Sequence, residues 1–338
     1  ALRNFENLTG GSGNDSLTGS SLGNVLDGGA GNDTMAGGKG DDTYIVNSTS
    51  DVIIEAASSG VDQVLAAVTF TLAVNVENLT LTGTATINGT GNAAANTIIG
   101  NTANNELIGA GGNDTLSGGL GIDTLNGGLG NDTYRIDTAT DVIIDSGGID
   151  TIIVEGYSIY TNYLMPTGIE NIDLSSYYSY YAISATGNAL NNRMIGNASN
   201  NTLIGDAGND TLIGGAGYDN LTGGAGNDVF VFDAPLYNAD SLATTTGYDT
   251  ITDFTIGADK IQLDDDIFTA LPVVASGVLG AAHLQIGAAA TDADDRIIYN
   301  SVTGALYYDQ DGNGAQAQTQ FALLGTGLAL TVADFAII

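Results

Sequence analysis

The chain has no cysteine, three prolines, one histidine and six basic residues in 338. Without cysteine, neither disulfides nor thiolate-bound metal can staple the fold. A lone histidine, His283, rules out a zinc site of the H-E-x-x-H kind. Six Lys and Arg against 39 Asp and Glu give a formal charge of −33. No basic surface exists to neutralise phosphates, so nucleic-acid binding is excluded, and adsorption to an anionic membrane is disfavoured equally. There is no apolar run of 18 residues and no N-terminal signal peptide, so membrane insertion is not expected and export would need another route. Proline is too scarce, and the 49 glycines too regularly spaced, for a linker or a collagen-like chain.

What is present is apolar enough to fold. Hydrophobic residues make up 43% of the chain, so a core can form once the acidic charge is solvated or neutralised. Self-similarity supplies the architecture. Four nine-residue units run from Gly10 to Ile45, five from Gly91 to Arg135 and five from Gly187 to Val231, typified by GGAGNDTMA, GGLGNDTYR and GDAGNDTLI. Positions 1 to 6 read as a glycine-permitted turn. Position 6 is Asp in nine units and Asn in five. Position 8 is always large and apolar, and in a short strand it points opposite to positions 7 and 9. Position 8 should therefore build one inner core, each side chain contributing about 1.5–3 kcal/mol when buried. A single unit cannot bury its own apolar face, but stacked units can.

These nonapeptides resemble the RTX (repeats-in-toxin) family, whose repeat G-G-x-G-x-D-x-U-x binds calcium. The resemblance implies an all-β fold, a right-handed parallel β-roll or β-solenoid with two units per turn, so that like turns stack every 18 residues with calcium between them. That rule gives eight inter-turn sites. Three pair Asp with Asp: Asp15 with Asp33, Asp114 with Asp132, and Asp210 with Asp228. Five pair Asn with Asp: Asn24/Asp42, Asn96/Asp114, Asn105/Asp123, Asn192/Asp210 and Asn201/Asp219. Calcium prefers six to eight oxygens, so backbone carbonyls of the loops, including Gly10, Gly28, Gly109, Gly127, Gly205 and Gly223, are expected to complete each shell. The mixed sites carry less charge and lack Gly at position 4, so weaker binding or none is expected there. Eight calcium ions would offset about half of the −33 charge.

The blocks sit in a longer superrepeat. Residues 51–55 (DVIIE) and 141–145 (DVIID), followed by GVDQV, GIDTI and GYDTI from Gly60, Gly148 and Gly247, read as further strands with longer excursions. The sequence divides into 1–90 (first block and spacer), 91–186 (second block and Tyr-rich spacer), 187–232 (third block) and 233–338 (a β-rich C-terminal cap). The start within a spacer suggests a cut or processed end. Seven of the 15 tyrosines lie between Tyr157 and Tyr181, read either as cover for the roll or as an exposed aromatic surface for self-assembly or glycan stacking. Ile195, Ile213 and Val231 should align on one outer face. Residues 248–265, 296–314 and 321–327 resemble the C-terminal flanking domain of RTX proteins. Asp309 and Asp311 open a D-x-D-x-N-G loop whose twelfth position is Gln320 instead of a bidentate Glu, so a calcium loop and a plain β-hairpin both remain open. The ending ADFAII resembles an uncleaved type I secretion signal and equally a buried last strand.

Catalytic patterns are weak. GSSLG around Ser21 matches G-x-S-x-G but falls in register with a nonapeptide and has no helix to enter. The acids Asp264–Asp266 and Asp292, Asp294 and Asp295 read as solvated turns of the cap. The resemblance therefore implies a secreted calcium-binding protein of a Gram-negative bacterium, exported by type I secretion machinery, and the weak catalytic patterns lead to the expectation that it is noncatalytic. Its first reading is a surface-layer, adhesin or matrix protein that self-associates or engages cell-surface components. The alternative is the export and folding module of a secreted protease or lipase.

Overall fold

Short parallel strands, most of three to six residues, are what an alternating T-U-x triplet between glycine turns can form. A computed structural model describes residues 6–155, 162–176, 181–236, 247–272 and 277–338. They form a right-handed parallel β-roll with almost no helix. No helix among the described residues is long and apolar enough to cross a membrane. The chain packs as two units, Ala1–Ser158 and Ile159–Ile338.

In the first unit, alternate strands belong to opposite faces of the roll. One face runs Asn7–Gly11, Val25–Gly29, Thr43–Val46, Gln63–Ala66, Asn78–Leu81, Thr97–Ile99, Thr115–Ser117, Thr133–Ile136 and Thr151–Val154. The opposite face is built in two sheets, Ser16–Thr18 through Val52–Ile53 and Phe70–Thr71 through Val142–Ile144. Inside the blocks the register follows the 18-residue step, as in Leu26 with Tyr44 and Leu116 with Tyr134. The spacers contribute full turns of the same ladder with altered length, for Tyr44 pairs with Val64, Val64 with Leu79 and Leu79 with Ile98.

The second unit repeats this plan. Asn171–Asp173, Arg193–Ile195, Thr211–Ile213, Val229–Phe232, Lys260–Leu263 and Phe335–Ile337 form one parallel face. The other face begins Asn162–Leu164, Ser184–Thr186, Thr202–Ile204 and continues into an antiparallel meander of Thr319–Leu323, Ala305–Tyr308 and Ile297–Tyr299. The sequence ending ADFAII is thus a strand, with Phe335 and Ile337 buried. An aromatic cluster fills this end of the unit. Phe268 meets Tyr308 and Phe321 edge-on at 5.1 Å, and Phe232 meets Phe321 at 5.1 Å.

Position 8 forms the core as the periodicity requires. Thirteen of its fourteen side chains, from Leu26 to Phe230, are fully buried. The exception is half-buried Leu17, in a strand that pairs on one side only, with Thr34–Ala36. Ile195, Ile213 and Val231 do align in register, and the last two are buried within their unit. Five of the seven spacer tyrosines lie outside the described residues. Of the other two, Tyr163 is buried and Tyr181 exposed.

Candidate metal centres

The turn begins with glycine because there is no room for anything else. In each aspartate unit the position-6 carboxylate folds back over its own position 1. A β-carbon on Gly37 or Gly127 would lie 2.1 Å from Oδ2 of Asp42 or Asp132. The carbonyl of the next turn crowds the same spot, as Gly28 does at Gly10 (2.2 Å) and Gly127 at Gly109 (2.6 Å). Gly205 is pressed likewise by Asp210 Oδ2 and the Gly223 carbonyl.

The structure brings all eight expected pairs together through one contact. The backbone N–H of each position-6 residue donates to Oδ1 of the aspartate one turn later. Asp15 donates to Asp33 (2.8 Å) and Asn24 to Asp42 (2.7 Å). Asn96 donates to Asp114 (2.7 Å), Asn105 to Asp123 (2.7 Å) and Asp114 to Asp132 (2.8 Å). Asn192 donates to Asp210 (2.7 Å), Asn201 to Asp219 (2.7 Å) and Asp210 to Asp228 (2.9 Å). The ladder also runs past the blocks, into residues the 18-residue rule did not assign. Asp33 donates to Asp51, Asp42 to Asp62, Asp123 to Asp141 and Asp132 to Asp150, at 2.6–3.1 Å. Asp219 and Asp228 donate to Asp249 and Asp259, each at 3.0 Å. For Asp51, Asp141 and Asp150 the signal was present, since each follows its partner by 18 residues. For Asp62, Asp249 and Asp259 the spacer changes the interval.

The second oxygen of each carboxylate carries the chemistry. Oδ2 of Asp33, Asp42, Asp62, Asp114, Asp123, Asp132, Asp141, Asp210 and Asp219 is buried with no hydrogen-bond partner. A buried, unpaired carboxylate oxygen is costly, and a carboxylate resists ionising there. Burial pushes Asp114, Asp141 and Asp210 up to about 6 against the opposing effect of the N–H bond, and raises Asp42, Asp123, Asp132 and Asp228 too. Asp219 and Asp249 are both raised, chiefly through burial, and the neighbouring Asp249 carboxylate pushes Asp219 up further. Hard oxygen donors, repeated turn by turn and accompanied by crowded glycine carbonyls, fit calcium. Calcium bound there would neutralise the carboxylates and satisfy the orphaned oxygens.

Each block closes on extra acids. Oxygens of Asp42, Glu55 and Asp62 lie within 4.8 Å of one another, as do those of Asp132, Asp145 and Asp150. Tyrosines at the last position 8 hold the added carboxylates. Tyr44 donates its hydroxyl to Glu55, and Tyr134 donates to Asp145 Oδ1 at 2.8 Å. The same hydroxyls accept the N–H of Gly37 and Gly127. In the third block Phe230 has no hydroxyl, and the N–H groups of Gly223 and Gly224 reach Asp253 directly. Glu55 and Asp145 end the DVIIE and DVIID segments, each 11 residues after its tyrosine, a matched spacing that could have marked them; Asp253 arrives from a longer excursion and has no such signal.

Asp309 and Asp311 stand in the loop of a β-hairpin, after Tyr308, which pairs with Thr319. Asp309 Oδ1 accepts the N–H of Asp311, and Asp311 Oδ2 accepts those of Ala315 and Gln316. Ser21 is exposed in a nonapeptide turn. His283 ends a short 3-10 turn, its Nδ1 2.8 Å from the Asp294 carbonyl. Asp295, expected to be solvated, is buried instead and tied to Thr291.

Comparison with known proteins meets this geometry at the repeats. A family model described as RTX calcium-binding nonapeptide repeat (4 copies) matches residues 5–21, 9–44, 18–53, 90–125, 99–134, 186–221 and 204–234. Curated proteins gave no match. Similar solved structures include these two. One is a subunit of the mannuronan C5-epimerase from Azotobacter vinelandii, 28% identical with a TM-score of 0.30, covering 46% of this chain and 77% of that one. The other is an extracellular lipase from Serratia marcescens, 16% identical with a TM-score of 0.20, covering 82% of this chain and 45% of that one. The chain thus carries calcium-binding nonapeptide repeats of the RTX type in all three of its blocks.

Proposed function

We propose that this chain is an extracellular, noncatalytic calcium-dependent scaffold that is exported unfolded, folds on meeting calcium outside the cell, and self-assembles at a bacterial surface. The observation that carries the reading is the row of buried aspartates whose Oδ2 atoms have no donor from the chain. Without metal these carboxylates stack turn on turn in a chain of charge −33, which favours an expanded state. With metal, binding free energy becomes folding free energy. Low cytosolic calcium then keeps the chain export-competent, and type I secretion fits a calcium-gated fold. The spacers support a scaffold role, because Asp51, Asp62, Asp141 and Asp150 make them part of the same ladder.

Small-angle scattering across a concentration series in millimolar calcium tests the assembly. Growth into ordered particles supports the surface scaffold. A compact monomer at every concentration overturns self-assembly and turns the reading to an export and folding module of a secreted enzyme.

A further inference from the structure

The nonapeptides with asparagine at position 6 differ from the aspartate units in backbone as well as in side chain. Eight of the nine aspartate units hold positions 2 and 4 in the left-handed region. Examples are Gly29 and Gly31, Gly128 and Gly130, and even the non-glycine residues Ala110 (φ 84°) and Asp206 (φ 79°) at position 2. None of the five asparagine units has a left-handed residue. Their turns follow another plan, GNxxxN in four cases, and the polar groups of that plan are partnered within the chain.

The position-6 amide faces inward and bonds at both ends. Oδ1 of Asn96, Asn105, Asn192 and Asn201 accepts the position-2 N–H of its own turn at 2.7–2.9 Å. In seven of the nine aspartate turns the corresponding Oδ2 is the orphaned atom; in the first, whose glycines are not left-handed, Asp15 Oδ2 accepts the Gly11 N–H at 2.6 Å. The Nδ2 groups donate to carbonyls of the preceding turn: Asn96 to Val76 and Glu77, Asn105 to Ile87, Asn192 to Ile169 and Glu170, Asn201 to Ile183. Asn24 does the same with Ser20 N–H and the Glu6 carbonyl. Position 2 repeats the device in four of the five turns. Oδ1 of Asn92, Asn101, Asn188 and Asn197 accepts the N–H two residues on, each at 2.9 Å. Their Nδ2 groups take carbonyls of Val76, Ala85, Ile169 and Tyr181.

A calcium site needs oxygens that face a common point and are free to bind. Here the side-chain oxygen is already used, and N–H donors occupy the carbonyls of the preceding turn. Donor hydrogens also repel a cation. We propose that the five asparagine turns take no calcium and instead form metal-independent caps, which join each spacer to its calcium-binding block by amide hydrogen bonds. Their placement agrees with that role. Four of them are the first two units of the second and third blocks, and the carbonyls they hold belong to the spacer before; the fifth, around Asn24, is the second unit of the first block and holds the Glu6 carbonyl. In the absence of metal, the asparagine turns keep the spacer edge ordered, and the aspartate turns add to it when calcium arrives.

This proposal rests on the calcium reading of the aspartate turns, and hydrogen exchange on the whole chain separates the two. Exchange is followed by mass spectrometry in chelator and in millimolar calcium, comparing residues 91–108 and 187–204 with 109–135 and 205–231. The proposal expects the asparagine segments to exchange at least about tenfold more slowly than the aspartate segments in chelator, a difference that calcium removes. If both segments exchange fast in chelator and slow only with calcium, the caps fall and the calcium reading stands. If the aspartate segments are protected in chelator as well, the calcium reading falls and takes the distinction with it. Native mass spectrometry adds a second readout: Asn105→Ala and Asn201→Ala should bind as many calcium ions as the unmodified chain, and a lost ion overturns the proposal.

Discussion

Asp114 and Asp295 are both closed to water, 1% and 5% exposed, and are ionised with opposite ease. Burial opposes the charge in both. At Asp295 the N–H groups of Thr291 and Asp292, the Thr291 hydroxyl and the neighbouring Arg296 outweigh that penalty and hold the carboxyl below its usual range. At Asp114 a single N–H reaches Oδ1, Oδ2 has nothing, and the carboxyl is pushed up to about 6. The C-terminal region solves the buried charge of Asp295 with the chain's own donors and packs around Phe268, Phe321 and Tyr308. The rolls leave theirs unsolved. A region that satisfies its own polar groups is stable alone, whereas one that does not is stable only with the missing partner.

The comparison breaks most severely at a glycine. A β-carbon at Gly130 (φ 130°) would stand 1.8 Å from the Gly112 carbonyl oxygen. Gly130→Ala should cost at least about 2 kcal/mol in the second block, from left-handed strain plus overlap, read as a raised calcium midpoint of folding. Gly257→Ala is the matched control outside the blocks, strained at φ 77° but with open space around it. It should cost less and leave the calcium midpoint in place.

Exchanging the carboxylates sharpens the contrast. Asp123→Asn removes one charged ligand and should raise the calcium midpoint about tenfold, equivalent to about 1.4 kcal/mol, while lowering the bound-calcium count. Asp295→Asn should lower the melting temperature in the same buffer and leave the calcium count unchanged.

Acid acts on the two regions in opposite directions. The roll aspartates have folded-state values raised above the unfolded one, so the metal-free fold binds more protons than the unfolded chain between about pH 4 and 6. Lowering the pH from 7.5 to 5.5 should therefore reduce the penalty on the metal-free roll while protons displace calcium, raising the calcium midpoint. Asp295 is depressed, so its contribution is intact throughout that window and is lost only as pH falls below the ordinary carboxylate range. Titrations at the two pH values check both signs.

The smallest effect is a gain. Ala110 holds φ 84° where the next two units of its block have Gly119 and Gly128, so Ala110→Gly should stabilise the calcium-bound block by about 1 kcal/mol through relieved left-handed strain.

Much of this was legible in the sequence because the nonapeptide repeats without slippage. Position 8 marked the core from Leu26 to Phe230, and position 6 marked the ladder from Asp33 to Asp228. Legibility ended where the interval changed. Asp62 lies 20 residues beyond Asp42, and Asp259 lies 31 beyond Asp228, so no fixed period points to them although the backbone bond is the same. The roles of the asparagines were harder, since a shared register suggested weak ligands. Only the amide geometry shows that Asn105 Oδ1 is already taken by the Asn101 N–H, whereas Asp123 Oδ2 has no donor. The antiparallel meander of the cap has no repeat at all. Its burial of Asp295 depends on a local loop that charge counting reads as surface.

The central claim is that the rolls fold because calcium satisfies carboxylates the chain itself does not satisfy. A far-ultraviolet circular dichroism titration of the whole chain, from chelator to millimolar calcium at pH 7.5, tests it most directly. The account predicts a large, cooperative and chelator-reversible gain of β-structure, with sodium and potassium failing to replace calcium. Full β-structure in chelator, unchanged on adding calcium, would contradict it.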